Sequence, residues 1–520
     1  MTGTRTGDGR EPEGDSSVLG VPSHDARGAA SSSLLACRTW VTRFRVATAD
    51  LSDLVAPDGL CHQEKMRSVG VNSAKSFAAR KWEQATEQGP LRGVLTLVGG
   101  SAGAQALSLL AAPVLTRLYS PGSFGAYAYM LSVAAIIGPI ASLGLELAVP
   151  LASKVSDAQK LIRMAMVAAT GTALVTAIVV WLFHGSLSQM AHFDIMPWAI
   201  WVPFLIALTA WFVVLSEATL RQRAYSAIAT RTLVQNVGTV GGQLVMATVT
   251  RTAGGLLTGQ VFGRLFGIVS LARKNAGLLR RSGQGGYRQT LRANWRFPLV
   301  FAPTAVLNTL GLQLPLILLG AWFGIESVGF LGVAQRVTAL PAALIGIAVG
   351  QVFCGELTAR LRAGERNNRR LYLKVSARLG LFGSMITLAL LILPPYLFPV
   401  ILGSNWAEAG TYAQATALAV GLGFMASPLS YVLVAYQKTV MAVSVDISRI
   451  VLVCGLGYWA HRSGWSAVSA LWMMYAGITI NYVLTWFLGL AVTSEENSSP
   501  TSDGGPSAVF RGPAESSLDF

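Results

Sequence analysis

Charge is what this 520-residue chain has least of. Only 12% of its residues are Asp, Glu, Lys or Arg, against about a quarter in soluble domains, while 52% are hydrophobic. Mean hydropathy is +0.51, which argues against a set of soluble domains and for a polytopic membrane protein. Histidine and cysteine are also scarce. The five histidines (His24, His62, His184, His192, His461) lie in the tail or in loops, too dispersed for a metal centre. Cys37, Cys61, Cys354 and Cys454 lack metal-ligand spacing, so neither a metal nor a structural disulfide is expected. No GxGxxG follows a strand, and there is no phosphate loop and no HExxH. Catalytic residues, cofactors and a nucleotide-driven motor are therefore not expected, and any energy must come from an ion or substrate gradient. The start shows no signal-peptide pattern.

Acid is scarcer than base. Lys and Arg total 40 and Asp and Glu 25, a formal net charge of +15. In a soluble protein this would point to nucleic acid. In a membrane protein it is the ordinary excess of basic residues in cytoplasmic loops, so no nucleic-acid partner is expected.

Long apolar runs are what the chain has. A bilayer core of ~30 Å takes about 20 apolar residues in a helix, because lipid offers no partner to a free backbone amide. From residue 91 onward about twelve segments qualify, near 93–116, 124–148, 161–183, 196–217, 225–249, 253–272, 298–320, 326–353, 379–402, 410–434, 440–460 and 467–491. The fold class expected is an all-α membrane protein of about twelve helices in two six-helix halves. The halves span 91–273 and 297–491, joined by a basic linker, 274–296. Tails 1–90 and 492–520 are polar and expected to be disordered. Met66 opens a shorter tail, MRSVGVNSAKSFAARKWEQ, and is an alternative start.

The loops test this count. One alternate set carries Lys154, Lys160, Arg163, Arg221, Arg223, Arg273, Lys274, Arg280, Arg281, Arg288, Arg292, Arg296, Arg360, Arg362, Arg366, Arg369, Arg370, Lys374 and Lys438. The other carries Arg117, Arg251 and Arg462. This asymmetry places both termini in the cytoplasm. An internal repeat is arguable: Ser123-Phe124-Gly125 opens the second segment and Ser327-Val328-Gly329 the eighth. Small-residue pairs four apart, such as Gly238/Gly242 and Gly263/Gly267, are packing features.

Ionisable residues inside spans are costly and usually face a protein interior or a wet cavity. Arg336 stands near the middle of the eighth segment and Arg264 midway along the sixth, each without a local acid. Arg231 lies about two turns into the fifth. Asp446 and Arg449, at i and i+3 of the eleventh, are close enough to pair, either as a neutralised structural contact or as part of a cavity. Glu217 has Arg221 one turn on. Glu146 and Glu356 sit near segment ends, where snorkelling solvates a charge.

The opening helix pair, LRGVLTLVGGSAGAQALSLLAAPVLTRLYSPGSFGAYAYMLSVAAIIGPIASLGLELAVP, resembles the start of bacterial polysaccharide flippases, the Wzx type within the MOP exporter superfamily. Its PVLTRLYSPGSFGAYA run matches that family's closing of helix one and opening of helix two. Similarity extends over residues 91–490 and is strong again around Gln335-Arg336-Val337. The resemblance implies a MOP-exporter-like fold, though such proteins often carry up to fourteen helices. It also implies export of undecaprenyl-pyrophosphate-linked oligosaccharide across the bacterial cytoplasmic membrane by alternating access. Partners would be that lipid-linked glycan, membrane lipids, and the glycosyltransferases and polymerase of surface polysaccharide synthesis. Arginine holds pyrophosphate well, since it stays charged and donates in pairs. Arg336 and Arg264, with Arg231 and Arg449 behind them, would line such a cationic cavity, and Asp446 and Glu217 are candidates for ion coupling. An ion-coupled drug or metabolite antiporter of the same superfamily would favour acids at mid-membrane, and a glycan polymerase or ligase would need a large external loop.

Overall fold

In a computed structural model the described residues are 89–498, except 192–195, 223, 281–285, 342–345, 364, 366–367 and 437. The expected disorder of tail 1–88 and of residues 499–520 falls outside them. Among the described residues the architecture is helical, with no strand. In order they are α1 (Gly89–Leu118), α2 (Pro121–Ala141), α3 (Val155–Ala191), α4 (Trp201–Arg221), α5 (Tyr225–Val249), α6 (Ala253–Lys274), α7 (Ala302–Phe323), α8 (Ile325–Pro341), α9 (Ile347–Ala363), α10 (Asn368–Ile392), α11 (Ala407–Leu429), α12 (Thr439–Arg462) and α13 (Ala467–Ser498). Between α6 and α7 the basic linker forms two short helices, Ala276–Arg280 and Tyr287–Ala293, and a π turn, Phe297–Phe301.

Nine helices among the described residues are long and apolar enough to cross a membrane. Helix α5 is not among them despite its 25 residues, because Arg231, Gln235, Asn236 and Gln243 dilute its apolar face. Lipid-facing surfaces are visible as exposed apolar side chains: Val167, Leu174, Val175, Ile178 and Trp181 run along one face of α3.

Several boundaries differ from the hydropathy reading. Helix α2 ends at Ala141, where Leu143 (φ 57) and Gly144 (φ 65) turn the chain into a 3-10 segment, Leu145–Ala148. Glu146 is thus not a snorkelling residue of a longer helix. It is 8% exposed, with its carboxylate accepting from Ser142 Oγ at 2.6 Å. Helix α10 starts at Asn368 rather than near 379, so Arg369, Arg370 and Lys374 stand on its first two turns and not in a loop. Pro394 then starts a separate helix, Pro394–Leu402. Helix α3 is longer than expected and is interrupted at Phe183 (φ −110, ψ 15). Helix α13 runs on to Ser498, so residues 492–498 are helical and not tail.

Polar contacts define the two ends of the bundle. At the basic end Arg163 donates to the Leu279 carbonyl at 3.2 Å, Gln222 to Asn275 Oδ1 at 2.7 Å, and Arg221 to the carbonyls of Val149 and Ala152. These tie the α2–α3 connection, α4 and α6 to the linker. At the opposite end Tyr119 donates to the Gln243 carbonyl at 2.8 Å and Ser123 to the Arg251 carbonyl at 3.1 Å.

The two halves close on each other at that opposite end. Helices α2 and α8 cross at Gly125 and Gly329, and the contact is reciprocal. A Cβ on Gly125 would fall 1.8 Å from the Ile325 carbonyl oxygen, and one on Gly329 would fall 2.0 Å from that of Pro121. The arguable repeat of Ser123-Phe124-Gly125 and Ser327-Val328-Gly329 is therefore a matched pair of contact points. Beside it Thr116 Oγ1 donates to the Leu402 carbonyl at 3.0 Å, and Trp406 Nε1 donates to the Thr116 carbonyl at 2.8 Å.

Candidate functional site: a polar cavity between the halves

Below this closure lies a cavity of about 440 Å³ walled by α1, α2, α5 and α6 from one half and α7 and α8 from the other. Phe124 forms part of its roof, edge-on to the buried Trp406 indole at 5.2 Å, and Trp406 in turn meets Phe330 at 6.0 Å.

The lining mixes polar and apolar side chains and, among the described residues, carries no acid. Six glutamines reach it (Gln105, Gln235, Gln243, Gln260, Gln313 and Gln335), together with Asn236, Ser108, Ser132, Thr116 and Thr239. Each amide offers both donors and acceptors. Hydrogen bonds set their orientation: Ser108 Oγ donates to Asn236 Oδ1 at 2.8 Å, Tyr127 Oη to Gln260 Oε1 at 3.1 Å, and Gln335 Nε2 to Tyr475 Oη at 3.0 Å. An amide left unpaired in a span is costly, though much less so than a buried charge, and hydropathy records it only as a weaker run. That is why sequence reading passed over these residues.

Among the described residues Arg336 is the one charged side chain of the lining. It projects from α8 across the divide, its guanidinium carbon 5.5 Å from the Phe124 ring centre and 5.1 Å from that of Tyr127, both on α2. It is exposed to the cavity. The two rings stand nearly at right angles, at 86°, and accept none of the guanidinium N–H groups in a conventional hydrogen bond, which leaves those donors available to a bound anion.

The other candidate residues stand elsewhere. Arg264 and Arg231 do not line the cavity; both guanidinium groups lie on Phe212 of α4, at 5.1 and 4.3 Å from its ring centre. Arg231 also donates to Ser216 Oγ, and Glu217 is within electrostatic reach of Arg231 and Glu146. Arg449 is 7% exposed and enclosed by oxygen: Nε donates to Asn481 Oδ1 at 3.1 Å, Nη1 to Asn308 Oδ1 at 3.0 Å, and Nη2 lies 3.4 Å from Asp446 Oδ1. Asp446 and Arg449 thus form an ion pair, held in the second half by α7 and α13. No cluster of three or more potential metal ligands occurs among the described residues.

Two helical halves meeting at crossed glycines over a polar cavity form a transporter fold, and the comparisons with solved structures agree. An inward-facing multidrug resistance MATE family transporter of the MOP superfamily matches with a TM-score of 0.59 at 16% identity, covering 76% of this chain and 96% of that one. A MOP superfamily transporter from Pyrococcus furiosus, described by the reverse polarity of its binding pocket, matches at 0.56 and 13% identity, over 79% and 97% of the two chains. A Vibrio cholerae MATE transporter matches at 0.52 and 14%, over 82% and 98%. The protein has the fold of the MOP superfamily, and nine helices among its described residues are long and apolar enough to cross a membrane. A profile of the polysaccharide biosynthesis protein family matches residues 114–411, more than half of the chain, and the chain belongs to that family. A search of curated proteins by sequence finds no match.

Proposed function

We propose that this transporter is a flippase for a lipid-linked oligosaccharide, moving an undecaprenyl-pyrophosphate-linked glycan from the cytoplasmic to the periplasmic leaflet of the bacterial cytoplasmic membrane. The observation that carries the reading is Arg336, a lone cation set against two aromatic rings, in a cavity between the halves that is rich in amides and, among the described residues, free of acids. Guanidinium takes phosphate oxygens in pairs, and amides suit the hydroxyls of sugars. The basic end, with both termini, is the cytoplasmic side under the positive-inside rule, so Gly125 and Gly329 close the periplasmic side. Rocking of the halves about the cavity gives alternating access. Asp446 is committed to Arg449, which leaves Glu217 as the acid proposed for ion coupling. Glycosyltransferases would supply the substrate and a polymerase would consume it.

A drug antiporter is the competing reading, and the absence of any carboxylate from the cavity lining among the described residues argues against cationic cargo. The deciding experiment is deletion of the gene followed by analysis of the lipid-linked oligosaccharide pool, with complementation by wild type and by Arg336→Gln. Accumulation of the lipid-linked unit and loss of surface polymer, both restored by wild type and not by the variant at equal protein level, is expected. Normal export by Arg336→Gln would overturn the assignment of Arg336. An unchanged pool with new drug sensitivity would favour the antiporter, and exported single units left unpolymerised would point to a polymerase.

A further inference from the structure

The pair Arg231 and Arg264 is not explained by the cavity. Each is half-buried inside the first half, on α5 and α6, and each places its guanidinium on the same Phe212 ring. Neither is in an ion pair with another described residue; Arg231 has one hydrogen bond, to Ser216 Oγ. The Nε atoms of both are buried without a hydrogen-bond partner. Burial of a single unsatisfied N–H of this kind is already costly, and here two sit on neighbouring like charges. Glu217 acts electrostatically on Arg231, whereas the Arg231 charge itself faces that of Arg264. The local sum of these groups is an excess of positive charge at membrane depth.

We propose that Arg231 and Arg264 form a binding site for a small monovalent inorganic anion, of halide type, separate from the Arg336 cavity. One anion between the two guanidinium groups would accept from both Nε–H groups and remove the repulsion between the charges. Tyr127 separates the two sites: its ring lies under Arg336, and its hydroxyl donates to Gln260, one turn before Arg264 on α6. The inner anion neutralises the first half, so that attraction for an anionic substrate is set by Arg336. The inner site uses no part of the glycan chemistry, and its failure would leave the flippase reading standing.

The test uses the full-length protein in detergent, unfolded thermally at constant ionic strength in sodium chloride, sodium bromide, sodium phosphate or sodium gluconate. Halide at about five times its dissociation constant is expected to raise the midpoint saturably by about 1–2 °C over gluconate, the linkage shift scaled to a chain of this size. Arg264→Gln and Arg231→Gln lose the rise, while Arg336→Gln retains it. A rise equal in all variants, a rise lost only in Arg336→Gln, or none in the wild type overturns the proposal, and a rise with phosphate alone overturns the halide assignment. If the inner variants do not fold, bromide-soaked wild-type crystals decide. An anomalous peak touching both guanidinium groups supports the site, and a peak only at Arg336, or none, refutes it.

Discussion

Replacing Gly125 with alanine tests the link between the crossed glycines and transport most directly. The added methyl would lie 1.8 Å from the Ile325 carbonyl oxygen, 2.8 Å from its carbon and 3.1 Å from the Gly329 nitrogen. These are backbone atoms of a helix, so no side chain can rotate away. Carbon–oxygen contacts settle near 3.3–3.6 Å, so α2 and α8 would have to part by about 1.5 Å. Overpacking of that kind costs about 1–3 kcal/mol. Alanine is otherwise the better helix former, by about 1 kcal/mol, so the penalty falls on the closed arrangement alone. Where closed and open states are near balance, about 1–3 kcal/mol shifts their ratio by about 5- to 150-fold. The assay is labelling of a reporter cysteine, Ala128→Cys on the cavity wall, in a background with the four native cysteines replaced. A membrane-impermeant maleimide added outside whole cells should react faster in the Gly125→Ala background by that factor. Gly138 serves as the control, since a Cβ there meets nothing within 4 Å on the same helix, and Gly138→Ala should leave labelling unchanged. Wild-type labelling and wild-type surface polymer with Gly125→Ala would refute the reasoning.

Three further outcomes follow from the same geometry. Arg449→Leu removes the partner of Asp446 and leaves Asn308 and Asn481 without their donor, so thermal or denaturant unfolding should show a loss of about 3–5 kcal/mol. Adding Asp446→Leu should recover part of it; no recovery would mean that the pair is not the source. Trp406→Phe keeps an edge-on ring contact with Phe124 but deletes the hydrogen bond to the Thr116 carbonyl, with an expected cost of about 0.5–1.5 kcal/mol. Arg336→Lys keeps the charge without the paired donors, and export should fall between those of the wild type and Arg336→Gln in a quantitative assay of surface polymer.

How far the sequence could be read depended on whether a property was local. Segment count and the two halves follow from runs of apolar residues, and Arg336 stands out because charge in a span is rare. The glycines of the Ser123-Phe124-Gly125 and Ser327-Val328-Gly329 turns were visible as a repeat, but their contact joins residues about 200 positions apart. Arg264 and Arg336 look alike in sequence, both mid-span without a local acid. What separates them is a ring on another helix: Phe212 receives Arg264, while Phe124 and Tyr127 hold Arg336 at a cavity wall. The glutamines were hidden because an amide only lowers hydropathy and breaks no pattern. Glu146 was misplaced since hydropathy does not register the left-handed turn at Leu143 and Gly144.

On the proposed function, Arg336 would let a cavity between two halves hold an anion yet leave the halves free to move. It belongs to α8, but its guanidinium rests on two rings of α2, so its position reports on both halves at once. Each stacking contact is worth about 0.5–2 kcal/mol. Because cation–π contacts with the rings use up none of the N–H groups that would bind phosphate, they position the donors without competing for them, and affinity would be gained by preorganisation. Tyr127→Leu should therefore leave the charge in the cavity but weaken apparent substrate affinity by about 2- to 30-fold. Tyr127→Phe, which keeps the ring and loses only the hydrogen bond to Gln260, should stay close to wild type. The measurement is apparent KM for a lipid-linked oligosaccharide in proteoliposomes. If Tyr127→Leu binds as well as wild type, the rings are only packing and Arg336 is held by something else; if Tyr127→Phe is as weak as Tyr127→Leu, the Gln260 hydrogen bond and not the stack is what positions the cation.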